Sequence, residues 1–371
     1  MPARKLTKRE ALDLVIGAKI LACGGGGSEA KAIKNITQTY DNQNYFTISD
    51  LDDFNLDDHI CIIGMVGGGI TEEDHMLVEG LKIVDENPMI TAVKELEEFL
   101  DIEFQGFVAT ELGPNNSIIP LMVAAQTNKI AIDGDCCGRS KPKISISTTR
   151  VAGISISPLS MVNHFGDVQI VKNATNDIRG EIFAREAARI SGGSVSVARC
   201  PMTIEQAHIA VIPKTFSLAI KLGRYVRIAN ENKTDPIESI KKILPDAKFI
   251  FSGKVKDFSR IEEGGFTSGE IILETSEKSK KQLRIWYQNE YLLSCLNNEH
   301  YVTCPDGFYV IDSVTGHGLT PWEDDFKEGR EVTIFTRDAP QIWQSKKGLS
   351  VFGPKVFNKN WTTYKKASSF S

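Results

Sequence analysis

Several patterns are missing from this chain of 371 residues, and each absence removes a class of function. The seven cysteines are scattered and contain no CxxC pair, which argues against a zinc ribbon or a thioredoxin-like redox motif. The six histidines show no HxxxH or HxH spacing, so no metal-binding helix is indicated. No apolar run approaches the ~18 residues of a membrane span, and Glu10, Asp13 and Lys19 interrupt the candidate leader segment. Positive charge is not in excess. Lys and Arg number 43 against 48 Asp and Glu, and the formal charge of −5 gives no footprint for nucleic acid or an anionic membrane. Neither GxGxxG nor GK[ST] occurs, so no nucleotide cofactor is expected. An odd, scattered set of cysteines points to a reducing cytoplasm.

What is present belongs to an ordinary globular protein: 41% hydrophobic and 25% charged residues, with length enough for two domains. Glycine placement is the exception. The segments 23–28, 64–69, 111–117 and 133–139 hold 11 glycines in 26 residues, where average usage would put about two.

Thr7 is positioned to cap a helix over 8–22, and Ser28 and Glu29 open another over 29–40. Ile60–Val66 reads as a buried parallel strand, leading through Gly67-Gly68-Gly69 into helices over 71–84 and 89–100. Strands near 105–110 and 129–132 bracket a helix over 117–126. Helices over 177–191 and 213–229 follow, with a strand at 194–198 between them and a hairpin at 153–171. This alternation predicts an α/β N-terminal domain with a largely parallel sheet. Beyond the polar stretch 230–236 the pattern turns to short alternating segments separated by turn residues. It predicts a smaller β-rich C-terminal domain, dividing the chain into 1–235 and 236–371. The polar tail from Thr362 is expected to fray.

In an open parallel sheet, ligands bind beyond the carboxyl ends of the strands. Three loops leave such ends, at Gly67–Gly69, Glu111–Ser117 and Asp133–Arg139, and they are expected to converge. Glu111, Asp133 and Asp135 are the candidate acids and bases, because carboxyls brought close together raise one pKa into a useful range. Asn115, Asn116 and Arg139 are candidate binding groups, and Gly25, Gly26 and Gly68 let backbone approach a ligand. Structural duties compete for several of these residues. Asn116 or Ser117 can cap a helix, Asp133 and Asp135 can cap turns, and Arg139 can pair with Asp135. A divalent metal stays open as a cofactor, with Asp133, Asp135 and Cys136 as candidate ligands.

The chain resembles the S-methyl-thiohydantoin desulfurase family, whose members are often found beside hydantoinase or oxoprolinase proteins. The resemblance lies in Ile16-Gly17-Ala18 leading to Gly24–Gly27, in Glu111-Leu112-Gly113-x-Asn115-Asn116-Ser117 and in Asp133-Gly134-Asp135-x-x-Gly138-Arg139. It continues through Pro201-Met202-Thr203, Gly264-Gly265-Phe266, Gln288-Asn289-Glu290 and Gly353-Pro354, covering about 15–355. It implies hydrolysis of a small cyclic amide or thioamide, with a thiol released from a 2-methylthio-imidazolone ring, and it adds Thr203 to the substrate-binding set. The expected assembly is a homo-oligomer, with a hydantoinase-like protein as a second partner. The alternative is a non-catalytic binding or assembly subunit of such a system. The run Ser140-Lys141-Pro142-Lys143 departs from the family pattern, which carries an apolar residue at the second position and an acid at the fourth.

Overall fold

The computed structural model describes residues 3–67, 71–275, 281–358, 360 and 363–370. The first helix, Lys8–Leu21, is fixed at its start by a capping box. Thr7 Oγ1 accepts the Glu10 N–H at 3.1 Å, while the Glu10 carboxylate accepts the Thr7 N–H at 2.9 Å. Ser28 caps the second helix, Glu29–Asp41, through the Lys31 N–H. The two helices expected at 177–191 and 213–229 run Asp177–Ile190 and Thr215–Glu231. Lys8–Leu21 lies against Thr215–Glu231 closely enough that a Cβ on Gly17 would stand 1.9 Å from the Ala219 carbonyl oxygen. The buried Asp13 carboxylate holds the same pair together by accepting from Arg227 at 2.7 and 3.1 Å.

The N-terminal sheet is mixed. Its parallel centre is Thr47–Ser49, Ile130–Asp135, Phe104–Ala109 and His59–Gly67, in that spatial order. The remaining strands are antiparallel: Arg4–Lys5 at one edge, Ile212–Pro213 against the end of Ile130–Asp135, and Ser194–Thr203, Leu159–Val162 and Val168–Val171 beyond His59–Gly67. Helix–strand alternation specifies the parallel centre. The long strand Ser194–Thr203 pairs antiparallel with both His59–Gly67 and Leu159–Val162, although the helix Asp177–Ile190 separates it from the hairpin in sequence.

The C-terminal sheet is antiparallel throughout, ordered Glu299–Thr303, Glu290–Leu296, Gln282–Gln288, Phe266–Glu274, Lys248–Phe258, Glu331–Arg337 and Gly307–Asp312. One apolar core runs through both parts of the molecule, from Leu14 and Phe107 to Ile285 and Phe335.

Two expectations about local structure are corrected. The helix expected over 71–84 stops after Glu72–Met76. Leu77, Leu81, Ile83 and Val84 are all exposed, so no core receives the apolar face that would stabilise a longer helix. The tail is tethered rather than frayed: Tyr364 Oη and the Ala367 N–H both donate to the Asp306 carboxylate at 2.6 Å, and Ala367 is buried. Among the described residues no helix is long and apolar enough to cross a membrane.

The glycine run acts by close approach. Gly26 has φ +85°, and a Cβ there would lie 2.3 Å from the Gly113 Cα. Its carbonyl accepts the Asn115 and Asn116 N–H groups, both at 3.0 Å, pinning the Glu111–Ser117 loop to the helix connection. Gly26→Ala is expected to cost roughly 1–3 kcal/mol through strain and loop displacement. Gly329→Ala is the control, since its φ is +83° but nothing lies within 4 Å; it should cost less, about 1 kcal/mol. Chemical denaturation of both variants measures the difference.

Candidate active site

A cavity of about 870 Å³ opens where the ends of His59–Gly67 and Phe104–Ala109 meet the C-terminal sheet. Gly25–Gly27, Thr110, Glu111, Asn116 and Lys141 line one side. Gly264, Gly265, Phe266, Glu290 and Trp322 line the other. The outer wall carries Lys143 and Arg185, with the Arg185 guanidinium 4.4 Å from the Phe266 ring centroid.

Glu111 is buried, and its carboxylate is held from three directions. Asn116 Nδ2 donates to Oε1 at 2.7 Å, the Lys141 N–H donates to Oε2 at 3.0 Å, and Lys141 Nζ stands 3.6 Å from Oε2. Lys141 Nζ also donates to the Thr110 carbonyl and hydroxyl. Burial pushes the Glu111 carboxyl up from its ordinary value, opposed by the Lys141 charge and by the hydrogen bonds.

Glu290 begins the strand Glu290–Leu296 and faces Gly25, where a Cβ would sit 2.2 Å from Glu290 Oε1. The carboxyl is buried, and among the described residues Oε2 has no hydrogen-bond partner. Burial, followed by the Glu111 charge, holds Glu290 well above the usual carboxylate range. Lys141 lies directly against Glu111, whereas at Glu290 the charges of Arg139 and Lys141 only partly oppose the rise. Glu111 has the cation and the donors, so the shared proton belongs on Glu290.

Several candidates drawn from the sequence lie off this cavity. Asp133 accepts from the Ser217 N–H at 2.9 Å and from the Ser217 hydroxyl, fixing the start of Thr215–Glu231. Asp135 accepts the Cys137 and Gly138 N–H groups at 2.7 and 2.6 Å, shaping its own turn. Arg139 donates to the carbonyls of Ser140, Asp306 and Tyr291 and does not pair with Asp135. Asn115 accepts from Asn35 at 3.3 Å. Thr203 caps Ile204–Ala210 through a box with Gln206. Gly68 lies outside the described residues.

Asp133 and one oxygen of Asp135 are engaged as above, and burial pushes the Cys136 thiol up to about 12. Among the described residues no cluster of three His, Cys, Asp or Glu side chains is arranged for a metal. The expected convergence is therefore met in the cavity by Glu111, Asn116, Gly25 and Gly26, while the loop leaving Ile130–Asp135 contributes Lys141 instead of its acids. Sequence reasoning missed Glu290. Its signal was a charged residue at the tight Gln288-Asn289-Glu290 turn, adjoining the apolar run Tyr291–Leu293.

Asp135 has a measurable consequence of its own. Burial raises its pKa to about 6, so the unfolded chain ionises before the folded one. Its contribution to stability is present below about pH 4 and is lost as pH rises through about 6. Asp135→Asn removes this loss, so its stability relative to wild type should improve by on the order of 3 kcal/mol across that window. Urea unfolding at several pH values checks the change, and a pH-independent difference would contradict it.

A mixed α/β layer joined to a curled antiparallel sheet, with a carboxyl–lysine–carboxyl cavity between them, defines a two-part α/β scaffold carrying acid–base groups. The chain belongs to the S-Me-THD-like family: the N-terminal domain model matches residues 9–173 and the C-terminal domain model matches 175–366. No curated protein matches the sequence. A crystal structure of a protein from Chromobacterium violaceum is similar in fold, with a TM-score of 0.79 and 19% identity. That alignment covers 98% of this chain and 100% of that chain.

Proposed function

We propose that the protein hydrolyses a small S-alkylated cyclic thioamide of the S-methyl-thiohydantoin type, releasing a thiol. The observation that carries the reading is the pair of buried acids, Glu111 and Glu290, facing one cavity with unequal access to the Lys141 cation. Membership in the S-Me-THD-like family supports the substrate class.

Glu111, kept ionised by Lys141 and Asn116, takes a proton from water as the oxygen adds to the ring carbon bearing sulfur. The π pair of the C=N bond moves to the ring nitrogen. On collapse the C=O bond forms and the C–S bond breaks, and Glu290 gives its proton to the departing sulfur. The remaining hydroxyl proton ends on the ring nitrogen, and the proton on Glu111 returns to Glu290 through solvent. The products are a cyclic imide and a neutral thiol. Proton donation by Glu290 lets the sulfur leave as a neutral thiol, so the negative charge rests on a carboxylate of the site and not on a buried thiolate.

Incubation with a panel of S-methyl-thiohydantoins, with free thiol measured, tests the reading. Release by wild type is the expected result. No release from any ring would overturn it and would favour a binding role.

A further inference from the structure

Thr110 sits at the end of the strand Phe104–Ala109, on the wall of the cavity. Its hydroxyl oxygen accepts two hydrogen bonds, from Arg199 Nη2 at 2.7 Å and from Lys141 Nζ at 3.2 Å. Guanidinium and ammonium groups carry donors and no acceptors, whereas a hydroxyl has two lone pairs and one proton. Both lone pairs of Thr110 are therefore committed, and its proton leaves in the one remaining direction. Among the described residues no protein group accepts that proton. The methyl group is directed at Gly64, where a Cβ would lie 3.8 Å from Thr110 Cγ2.

Arg199 is buried and, among the described residues, makes no ion pair; its other hydrogen bond is to Cys200 Sγ at 3.1 Å. The Asp177 carboxylate reaches Arg199 only beyond ion-pair distance, and here two cations converge on one neutral oxygen. Donors of this kind polarise the hydroxyl and strengthen its own donation.

We propose that Thr110 is a fixed hydrogen-bond donor of this site, its rotor locked by Arg199 and Lys141 so that it binds an acceptor atom of the ligand and rejects a donor there. The proposal rests on the hydrolase reading only for the identity of that acceptor, a ring nitrogen or carbonyl oxygen of a cyclic imide. Such an atom gains electron density as water adds to the ring, so the same contact would strengthen toward the transition state. Arg199 and Lys141 act here as positioning residues.

Two measurements test it separately. Neutron diffraction from deuterium-exchanged crystals of the ligand-free protein should show the Thr110 deuterium directed into the cavity. A deuterium aimed at a protein carbonyl or carboxylate would overturn the proposal. Calorimetric titration with hydantoin should show Thr110→Val weakening Kd by about tenfold, with Thr110→Ser restoring it to within about twofold. Equal affinity of T110V and wild type, or a T110S as weak as T110V, would also overturn it. A wild type that binds no hydantoin while its deuterium points into the cavity overturns the cyclic-imide reading and leaves the donor standing.

Discussion

Glu111→Gln is expected to lower the rate of thiol release by about 10²–10⁴-fold, the usual worth of a positioned general base. The glutamine keeps the volume, but its one carbonyl oxygen replaces only one of the two carboxylate oxygens that accept from the Asn116 amide and the Lys141 N–H, and its NH2 faces the other donor. It loses the charge that takes the water proton. It also leaves Lys141 without the carboxylate that stands 3.6 Å away, so some loss of stability accompanies the kinetic effect. Single-turnover thiol release, alongside a circular-dichroism melt, separates the two. Near-native turnover by a folded E111Q protein would remove Glu111 from the chemistry.

Arg139→Leu is expected to destabilise the protein by on the order of 3–5 kcal/mol. Its guanidinium is buried and satisfies carbonyls of Ser140 on its own loop and of Tyr291 and Asp306 in the C-terminal part. Leucine cannot donate to any of them. Each orphaned buried carbonyl carries a desolvation cost of about 1–3 kcal/mol. Because Ser140 and Lys141 follow directly, the variant should also misplace the cation beside Glu111 and reduce turnover. Urea unfolding reads the first effect. A variant with unchanged stability and a raised KM would instead make Arg139 a ligand contact.

Much of the fold was legible because local chemistry and tertiary structure agree. Thr7 with Glu10, Ser28 before its helix and the apolar run Ile60–Val66 each state their element directly. The long antiparallel strand Ser194–Thr203 was seen only in its first half. Its second half carries Arg199, Pro201 and Thr203, which read as a loop until the strand is paired with His59–Gly67. The site divided in a similar way. Glu111 and Asn116 are five residues apart on one loop, so a sequence argument could group them. Glu290 lies 179 positions from Glu111, and only the docking of the C-terminal sheet brings it to Gly25. Asp133, Asp135 and Arg139 looked chemical because they are polar and close in sequence, yet their hydrogen bonds go to backbone groups and to the Ser217 hydroxyl. Lys141 looked like a departure from a pattern and proves to be the cation against which Glu111 is set.

The division of labour between Glu111 and Glu290 is tested most directly by the pH dependence of kcat/KM for thiol release from an S-methyl-thiohydantoin, in wild type and Glu290→Gln. Burial raises both acids, Glu290 further than Glu111. The wild-type profile should therefore rise as Glu111 ionises, above the ordinary carboxylate range, and fall again as Glu290 loses its proton. Glu290→Gln should be slower throughout and should lack the falling limb, because its amide does not titrate. A wild-type profile without a falling limb, or an E290Q enzyme that keeps both its rate and its bell shape, would contradict the assignment of Glu290 as the acid.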